Sequence, residues 1–445
     1  MGSPGKQPTL SILPRSEHTI SRSNISDNAL KVLYRLREAG YQACLVGGGV
    51  RDLLLGHEPK DFDIATNALP EQVKSLFRNS RLIGRRFRLA HVFFGPEIIE
   101  VATFRGLGEG DQDEERSHTD EGRLLRDNVY GGIEEDAWRR DFTVNALYYD
   151  IGDFSVLDYV GGVQDLRQGI LRMIGDADVR YREDPVRMLR AVRFAAKLGF
   201  RIHADSEQPI YEHGALLQDI SPSRIFDETI KLFLSGKALQ TFELLRHYRL
   251  FGHMYPQTEA CLGQEEQNFP LILVARAMAN TDERIQLGKP VTPAFLYAAL
   301  LWEPVRIMTQ HIMQTESMNE YLAMQKASSE VVSIQSRRTS IPRRFSMPMR
   351  EIWQLQAKFL RRKGAAPFRL MTHPRFRAAY DFLLLRAESG EASQELADWW
   401  TRFQEVDAAT QQQMCDALGK PAGQSKRKRP RRRKPHSAGQ SAGDS

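Results

Sequence analysis

An α+β fold is predicted: a head made of a mixed sheet with helices, followed by an all-α neck and body and a disordered basic tail. A β-α-β opening with a glycine turn falls within the first third of the chain. Past Tyr181 apolar residues recur at helical spacing almost without a break. From about Lys420 the chain is rich in Lys, Arg, Pro, Gly and Ser and cannot bury enough apolar surface to fold. These shifts divide the chain into a disordered N-terminus (1–25), head (26–175), helical neck (176–240), helical body (241–419) and disordered tail (420–445).

Taken in order, residues 1–25 mix Pro, Ser, Gly and charges around Leu10-Ser11-Ile12-Leu13, with no apolar stretch suited to a signal peptide. A helix is expected over Asp27 to Ala39, with Ala29, Leu30, Leu33, Tyr34 and Leu36 along one side and Gly40 ending it. Tyr41 to Val46 reads as a buried strand, Val50 to Leu55 as a short helix stopped by Gly56, and Asp61 to Ala65 as a second strand. Pro70 opens a helix that runs to Phe77. Arg81 to Gly84 follows, then a hairpin with arms Ala90 to Phe94 and Ile98 to Phe104 around Gly95-Pro96-Glu97. Gly106 to Arg123, acidic and glycine-rich without apolar periodicity, reads as a mobile loop. Pro293 to Trp302 is about half the length a bilayer span needs, so it is expected to be a core helix with Thr292 in front as its cap.

Composition narrows the function. A chain of 445 residues with 41% hydrophobic content has room for several domains and is too long for a short binding module. Cys44, Cys261 and Cys415 lie far apart, which offers neither a zinc site nor a disulfide framework and fits a reducing, cytoplasmic setting. The net charge of +6 is concentrated in Lys426-Arg427-Lys428-Arg429 and Arg431-Arg432-Arg433-Lys434, without which the chain is slightly acidic. Such a tail meets polyanions or simply stays solvated.

Two motifs near the N-terminus carry chemistry. Val46-Gly47-Gly48-Gly49-Val50-Arg51-Asp52 places a glycine turn between a strand and a helix, where backbone N–H groups can approach a phosphate closely. Asp61 and Asp63 then stand two apart in an expected strand, so both carboxylates project from one face and can hold one or two Mg²⁺ ions, with Mn²⁺ as an alternative. Asp-x-Asp alone is a weak signal, since paired aspartates in turns are common. Its position after the glycine turn, framed by Arg51 and Lys60, points to metal-assisted phosphoryl transfer.

Together with Arg139-Arg140-Asp141-Phe142-Thr143-Val144-Asn145-Ala146 and Glu183-Asp184-Pro185-Val186-Arg187-Met188-Leu189-Arg190-Ala191-Val192-Arg193-Phe194, these motifs resemble, in order and spacing, those of the class II nucleotidyltransferases. That family contains bacterial poly(A) polymerases and CCA-adding enzymes. Leu76 to Val92, including Arg85-Arg86-Phe87, is similar to a segment of the bacterial poly(A) polymerase I branch, with Ser80 where a cysteine is expected. The resemblance implies a polymerase-beta-like nucleotidyltransferase head that moves AMP from ATP to RNA 3′ ends without a template and releases pyrophosphate. CCA addition to tRNA is the alternative on the same scaffold, and a silent RNA-binding scaffold is the rival from another class. The resemblance also implies Asp141 as third catalytic carboxylate, Gly48 and Arg51 on the triphosphate, and Arg140 on the nucleotide. Glu100, on the strand beside the two aspartates, is the rival for the third carboxylate.

Asp184, Arg187 and Arg190 recur every three residues, which on spacing alone is an ordinary salt-bridged helix face. By resemblance, Asp184 and Arg187 hydrogen-bond the base edge, while Arg190 and Arg193 support the phosphates or the helix. Partners implied are ATP, mRNA and structured RNA 3′ ends, and RNA-decay proteins.

Independently of any family, Arg337 to Arg377 carries many basic residues, among them Arg343, Arg344, Arg361, Arg362 and Lys363, against the single acid Glu351. With Arg427 and Arg431 of the tail they are candidate RNA contacts. Phe345, Trp353, Phe359, Phe368 and Phe376 are interleaved with them, and Ile352, Leu355 and Phe359 at helical spacing suggest that several of these apolar groups are core.

Overall fold

A computed structural model describes residues 10–84, 88–106, 129–263, 265–266, 269–270 and 272–418. The chain divides into two compact units, residues 1–349 and 350–445, and each is described by itself.

The first unit is built on an eight-stranded sheet of β1 (Ser11–Leu13), β2 (Ala43–Val46), β3 (Asp63–Thr66), β4 (Ser80–Ile83), β5 (Leu89–Phe94), β6 (Glu97–Thr103), β7 (Leu147–Asp150) and β8 (Val156–Asp158). Their spatial order is β1-β8-β7-β2-β3-β6-β5-β4, antiparallel except where β3 runs parallel to β6. All four residues of β2 are buried, as a central strand covered on both faces requires. Its residues Cys44 and Val46 join Ala65, Phe104, Ala137, Tyr148 and Ile174 in one apolar cluster. β5 and β6 close through Gly95-Pro96, with Gly95 at φ +64°, the left-handed conformation that the first position of a II′ hairpin turn demands.

The helices of this part are α1 (Asp27–Glu38), α2 (Gly48–Leu54), α3 (Pro70–Leu76), α4 (Ile133–Arg139), α5 (Gly162–Gln168), α6 (Ala177–Glu183), α7 (Val186–Leu198), α8 (Ala204–His213) and α9 (Pro222–Phe233). α1 buries Ala29, Val32, Leu33 and Leu36, a 3.6-residue stripe, and Ser26 caps it by accepting the Ala29 N–H. α7 buries Val186, Met188, Leu189, Ala191, Val192, Ala195 and Ala196, which leaves its arginines on the opposite side.

Helices continue from Ala238, and Pro293–Leu300 is the buried core helix expected, capped by Thr292. Among the described residues no helix is long and apolar enough to cross a membrane. In the second unit Leu355, Phe359, Phe376, Leu383, Trp400 and Phe403 form the core, and Trp400 Nε1 donates to the Phe359 carbonyl at 2.9 Å. Cys44, Cys261 and Cys415 are free, buried thiols.

The structure departs from the sequence reading in three places. The N-terminal segment is ordered from Leu10, because Ser11–Leu13 pairs with β8 and buries Leu13, and Ile20 is buried further along. α4 had no apolar run to announce it. Asp61 precedes its strand, which begins at Asp63. The loop from Gly106 to Arg123 lies almost wholly outside the described residues, as does Arg85-Arg86-Phe87.

Candidate active site

Gly47 makes the turn from β2 to α2 with φ +72° and ψ −133°, a conformation that L side chains rarely adopt. The N–H groups of Gly48 and Gly49 open α2 and have no acceptor within the helix. An added Cβ at Gly49 would touch the Asp61 carbonyl at 3.4 Å, so this glycine lets the turn lie against the segment that carries the aspartates.

Asp61 and Asp63 are both exposed, with buried Phe62 between them. The parallel register of β3 and β6 sets Asp63 opposite Glu100. Among the described residues no cation lies at ion-pair distance from Asp61 or Asp63, and His91 Nε2 lies 3.3 Å from Glu100 Oε1. Desolvation, reinforced by Glu100 and Asp61 and opposed by Arg140, pushes the Asp63 carboxyl up to about 6. Asp61, Asp63 and Glu100 thus offer carboxylate oxygens on or next to neighbouring strands, with no cation among the described residues paired to the two aspartates, and the oxygen chemistry of this donor set fits a hard divalent cation such as Mg²⁺ or Mn²⁺.

Asp141 is engaged by Arg190. Its Oδ2 accepts from Arg190 Nε and Nη2 at 2.8 and 2.5 Å, and its Oδ1 accepts from the Phe142 N–H and from Asn145 Nδ2. Burial would raise its pKa, but Arg190 and these hydrogen bonds outweigh burial and hold it below the ordinary carboxylate value. Strand register sets Glu100 opposite Asp63, while Asp141 pairs with Arg190.

Arg51 also differs from the expectation. Its side chain is 2% exposed, with Nε and Nη2 on Asp52 and Nη1 donating to Asn145 Oδ1 at 2.5 Å. It thus braces the glycine turn from beneath, and Asn145 links it to Asp141. Arg140 keeps a position close to the turn: an added Cβ at Gly47 would lie 3.5 Å from its Nη1. Burial opposes its charge, but Tyr148 and Asp136 together raise its pKa.

Arg51, Arg190 and Arg193 gather around the Phe194 ring at 5.4, 5.3 and 4.9 Å from its centroid. Among the described residues Arg193 has no carboxylate at salt-bridge distance, and its buried Nε lacks a partner. Burial, then Arg190, lowers its pKa. At the start of α7, Asp184 accepts from the Val186 N–H and from Arg224 Nη2, while Arg187 Nη1 donates to Glu183 and to the Arg180 carbonyl. Arg180 in turn donates to the carbonyls of Arg139 and Arg140, which ties α6 to the Asp141 loop. Arg180 and Arg224 had no signal in the sequence because their partners lie about forty positions away.

The charges expected to meet RNA are distributed as follows. Arg343 and Arg344 are exposed in the first unit, and Arg361 and Lys363 in the second. Arg362 is partly covered, paired with Glu395 and lying over Trp399. Trp353, Phe359 and Phe376 are core residues and cannot stack on a base, whereas Phe345 and Phe368 are half-buried. Arg427 and Arg431 lie outside the described residues. Asp178, Glu212 and His213 also cluster, but Arg182 already neutralises Asp178 at 3.1 Å.

Comparison with known proteins bears on this arrangement. Residues 43–172 match a family model described as the poly A polymerase head domain, 316–434 one described as the polymerase A arginine-rich C-terminus, and 199–262 one described as "Probable RNA and SrmB- binding site of polymerase A". Poly(A) polymerase I of Salmonella typhi is 51% identical over 438 residues, 97% of this chain and 94% of the relative. That of Haemophilus influenzae is 46% identical over 95% of both. A crystal structure of the Bacillus stearothermophilus CCA-adding enzyme in complex with CTP has a TM-score of 0.54 at 26% identity, covering 89% of this chain and 88% of that one.

Proposed function

Because the chain belongs to the poly(A) polymerase I family of class II nucleotidyltransferases, we propose that its adenylyl transfer from ATP to RNA 3′ ends takes place where the Gly47 turn meets Asp61, Asp63 and Glu100. The observation that carries this location is the in-register pairing of Asp63 with Glu100, in the segment whose Asp61 carbonyl lies against the glycine turn. Asp61, Asp63 and Glu100 would hold Mg²⁺, with Mn²⁺ as an alternative, and the chemistry supplied there would be activation of the attacking hydroxyl and neutralisation of the leaving pyrophosphate.

The chain's own groups supply placement. Gly48 and Gly49 offer N–H groups to the triphosphate, and Arg140 adds positive charge beside them. Arg193, with no carboxylate at salt-bridge distance among the described residues, provides further charge for the phosphates, while Arg190, held by Asp141, supports the helix. Asp184 and Arg187 meet the edge of the incoming base. Asp141 is a positioning residue in this account, fixing Arg190 and, through Asn145, the buried Arg51 under the turn.

RNA is held by the neck and by the basic surfaces of the body, with Arg343, Arg344, Arg361, Arg362 and Lys363 contacting phosphates and the tail adding Arg427 and Arg431. The division into head (26–175), neck (176–240) and body (241–419) follows these roles. The description matched at 199–262 supports a protein partner alongside RNA, in keeping with recruitment to cytoplasmic RNA decay.

The likeness to a CCA-adding enzyme in complex with CTP favours a second reading, completion of tRNA ends. Extension of a labelled single-stranded RNA with each NTP separately, beside a tRNA lacking its terminal CCA, distinguishes the two. Long products with ATP alone are expected; short CTP-dependent products confined to the tRNA would replace this reading with the second.

A further inference from the structure

We propose that Arg224, on α9, is a positioning residue for nucleotide choice: it fixes the Asp184 carboxylate in the orientation that meets the incoming base. The inference rests on the reading above that Asp184 contacts the base edge.

Asp184 sits between α6 and α7 with extended backbone, at φ −144° and ψ 92°. Its Oδ1 accepts the Val186 N–H at 3.2 Å, and its Oδ2 accepts from Arg224 Nη2 at 2.7 Å. A carboxylate held at one oxygen turns freely about its broad terminal torsion. Held at both, by the start of α7 on one side and by α9 on the other, it has a defined plane. Each oxygen keeps a second lone pair, so the anchoring leaves capacity to accept from the exocyclic amine of a base. Arg187, the other base-facing residue, is held in the same manner by Glu183 at 2.9 Å and the Arg180 carbonyl at 2.8 Å. The pair thus presents a fixed acceptor and a fixed donor, which match the amine and ring nitrogen of an adenine edge and reject the keto edge of guanine or uracil, where donor and acceptor are reversed.

Arg224 can act without serving the fold. α9 is placed by Ile225, Phe226, Thr229, Leu232 and Phe233, all buried, whereas the Arg224 side chain is 48% exposed. Ion pairs this open to water add little stability. Losing the guanidinium should therefore release the carboxylate and spare α9.

The test measures kcat/KM for ATP and for GTP on a single-stranded RNA, together with thermal unfolding, using the full chain. R224Q is expected to lower the ATP-over-GTP ratio about tenfold with an unchanged unfolding midpoint, and R224K to restore part of the ratio because an ammonium also donates to Oδ2. D184N should lower the ratio at least as far, and R224Q combined with D184N no further than D184N alone. If R224Q keeps the wild-type ratio while D184N loses it, or if the two losses add, the role of Arg224 is overturned and that of Asp184 stands. If D184N keeps the wild-type ratio, the reading of Asp184 fails, and the inference with it.

Discussion

Asp141 is paired with Arg190 while Glu100 stands opposite Asp63, and the reason is local. Asp141 follows α4 directly and is met by Arg190 from α7, so its charge is already neutralised. Glu100 is brought beside Asp63 by strand register, a relation between segments that spacing within one motif does not express. Since the Asp141 pKa is depressed in the folded state, the carboxylate contributes stability above its ordinary value and loses it as pH falls through the depressed one. Asp141→Asn should thus cost about 2 kcal/mol near pH 7, between the values for exposed and buried pairs. In urea unfolding followed against pH, the gap to wild type should close in acid; a gap independent of pH would contradict the assignment. The glycine turn between β2 and α2 was legible because a buried strand, three glycines and a helix follow one another within a few residues. The burial of Arg51 was not, because Asn145, which accepts from it, lies 94 positions away.

Elements were legible where one periodicity dominated. α1, α3, the hairpin of β5 and β6, and the core helix Pro293–Leu300 all carry caps, turns or stripes that name them. β1 was missed because an edge strand of three residues needs a partner, β8, that is distant in sequence. α4 was missed because its acidic first turn hides a short apolar face at Ala137. The junction between β8 and α5 is testable at this scale. Asp158 accepts the N–H groups of Val160, Gly161, Gly162 and Val163, opening α5, and Gly162 packs so tightly that an added Cβ would overlap the Thr143 carbonyl. Gly162→Ala should destabilise by about 1 to 3 kcal/mol, as overpacking of a dense interior does. Thermal unfolding reads this directly, and a wild-type midpoint would show that the 143–145 turn is not wedged by α5.

At the scale of the whole molecule, the exposed charges Arg343, Arg344, Arg361 and Lys363 are the groups on which RNA affinity is expected to depend. The basic stretch Arg337 to Arg377 was legible as charge, but which aromatics are core emerged only with packing: Trp353, Phe359 and Phe376 are buried. Replacing Arg343, Arg344, Arg361 and Lys363 with Gln should weaken RNA binding. It should also flatten the dependence of affinity on log salt by about 0.7 for each phosphate of a single strand that is no longer neutralised. An unchanged slope in a filter or fluorescence titration would remove these residues from the RNA surface.

The site itself is tested most directly by extending a labelled single-stranded RNA with ATP and Mg²⁺, using wild type beside the double variant Asp61→Ala, Asp63→Ala. Wild type should make long adenylate tails, and the variant none while binding the RNA as wild type does. Tails made by the variant would place the chemistry elsewhere.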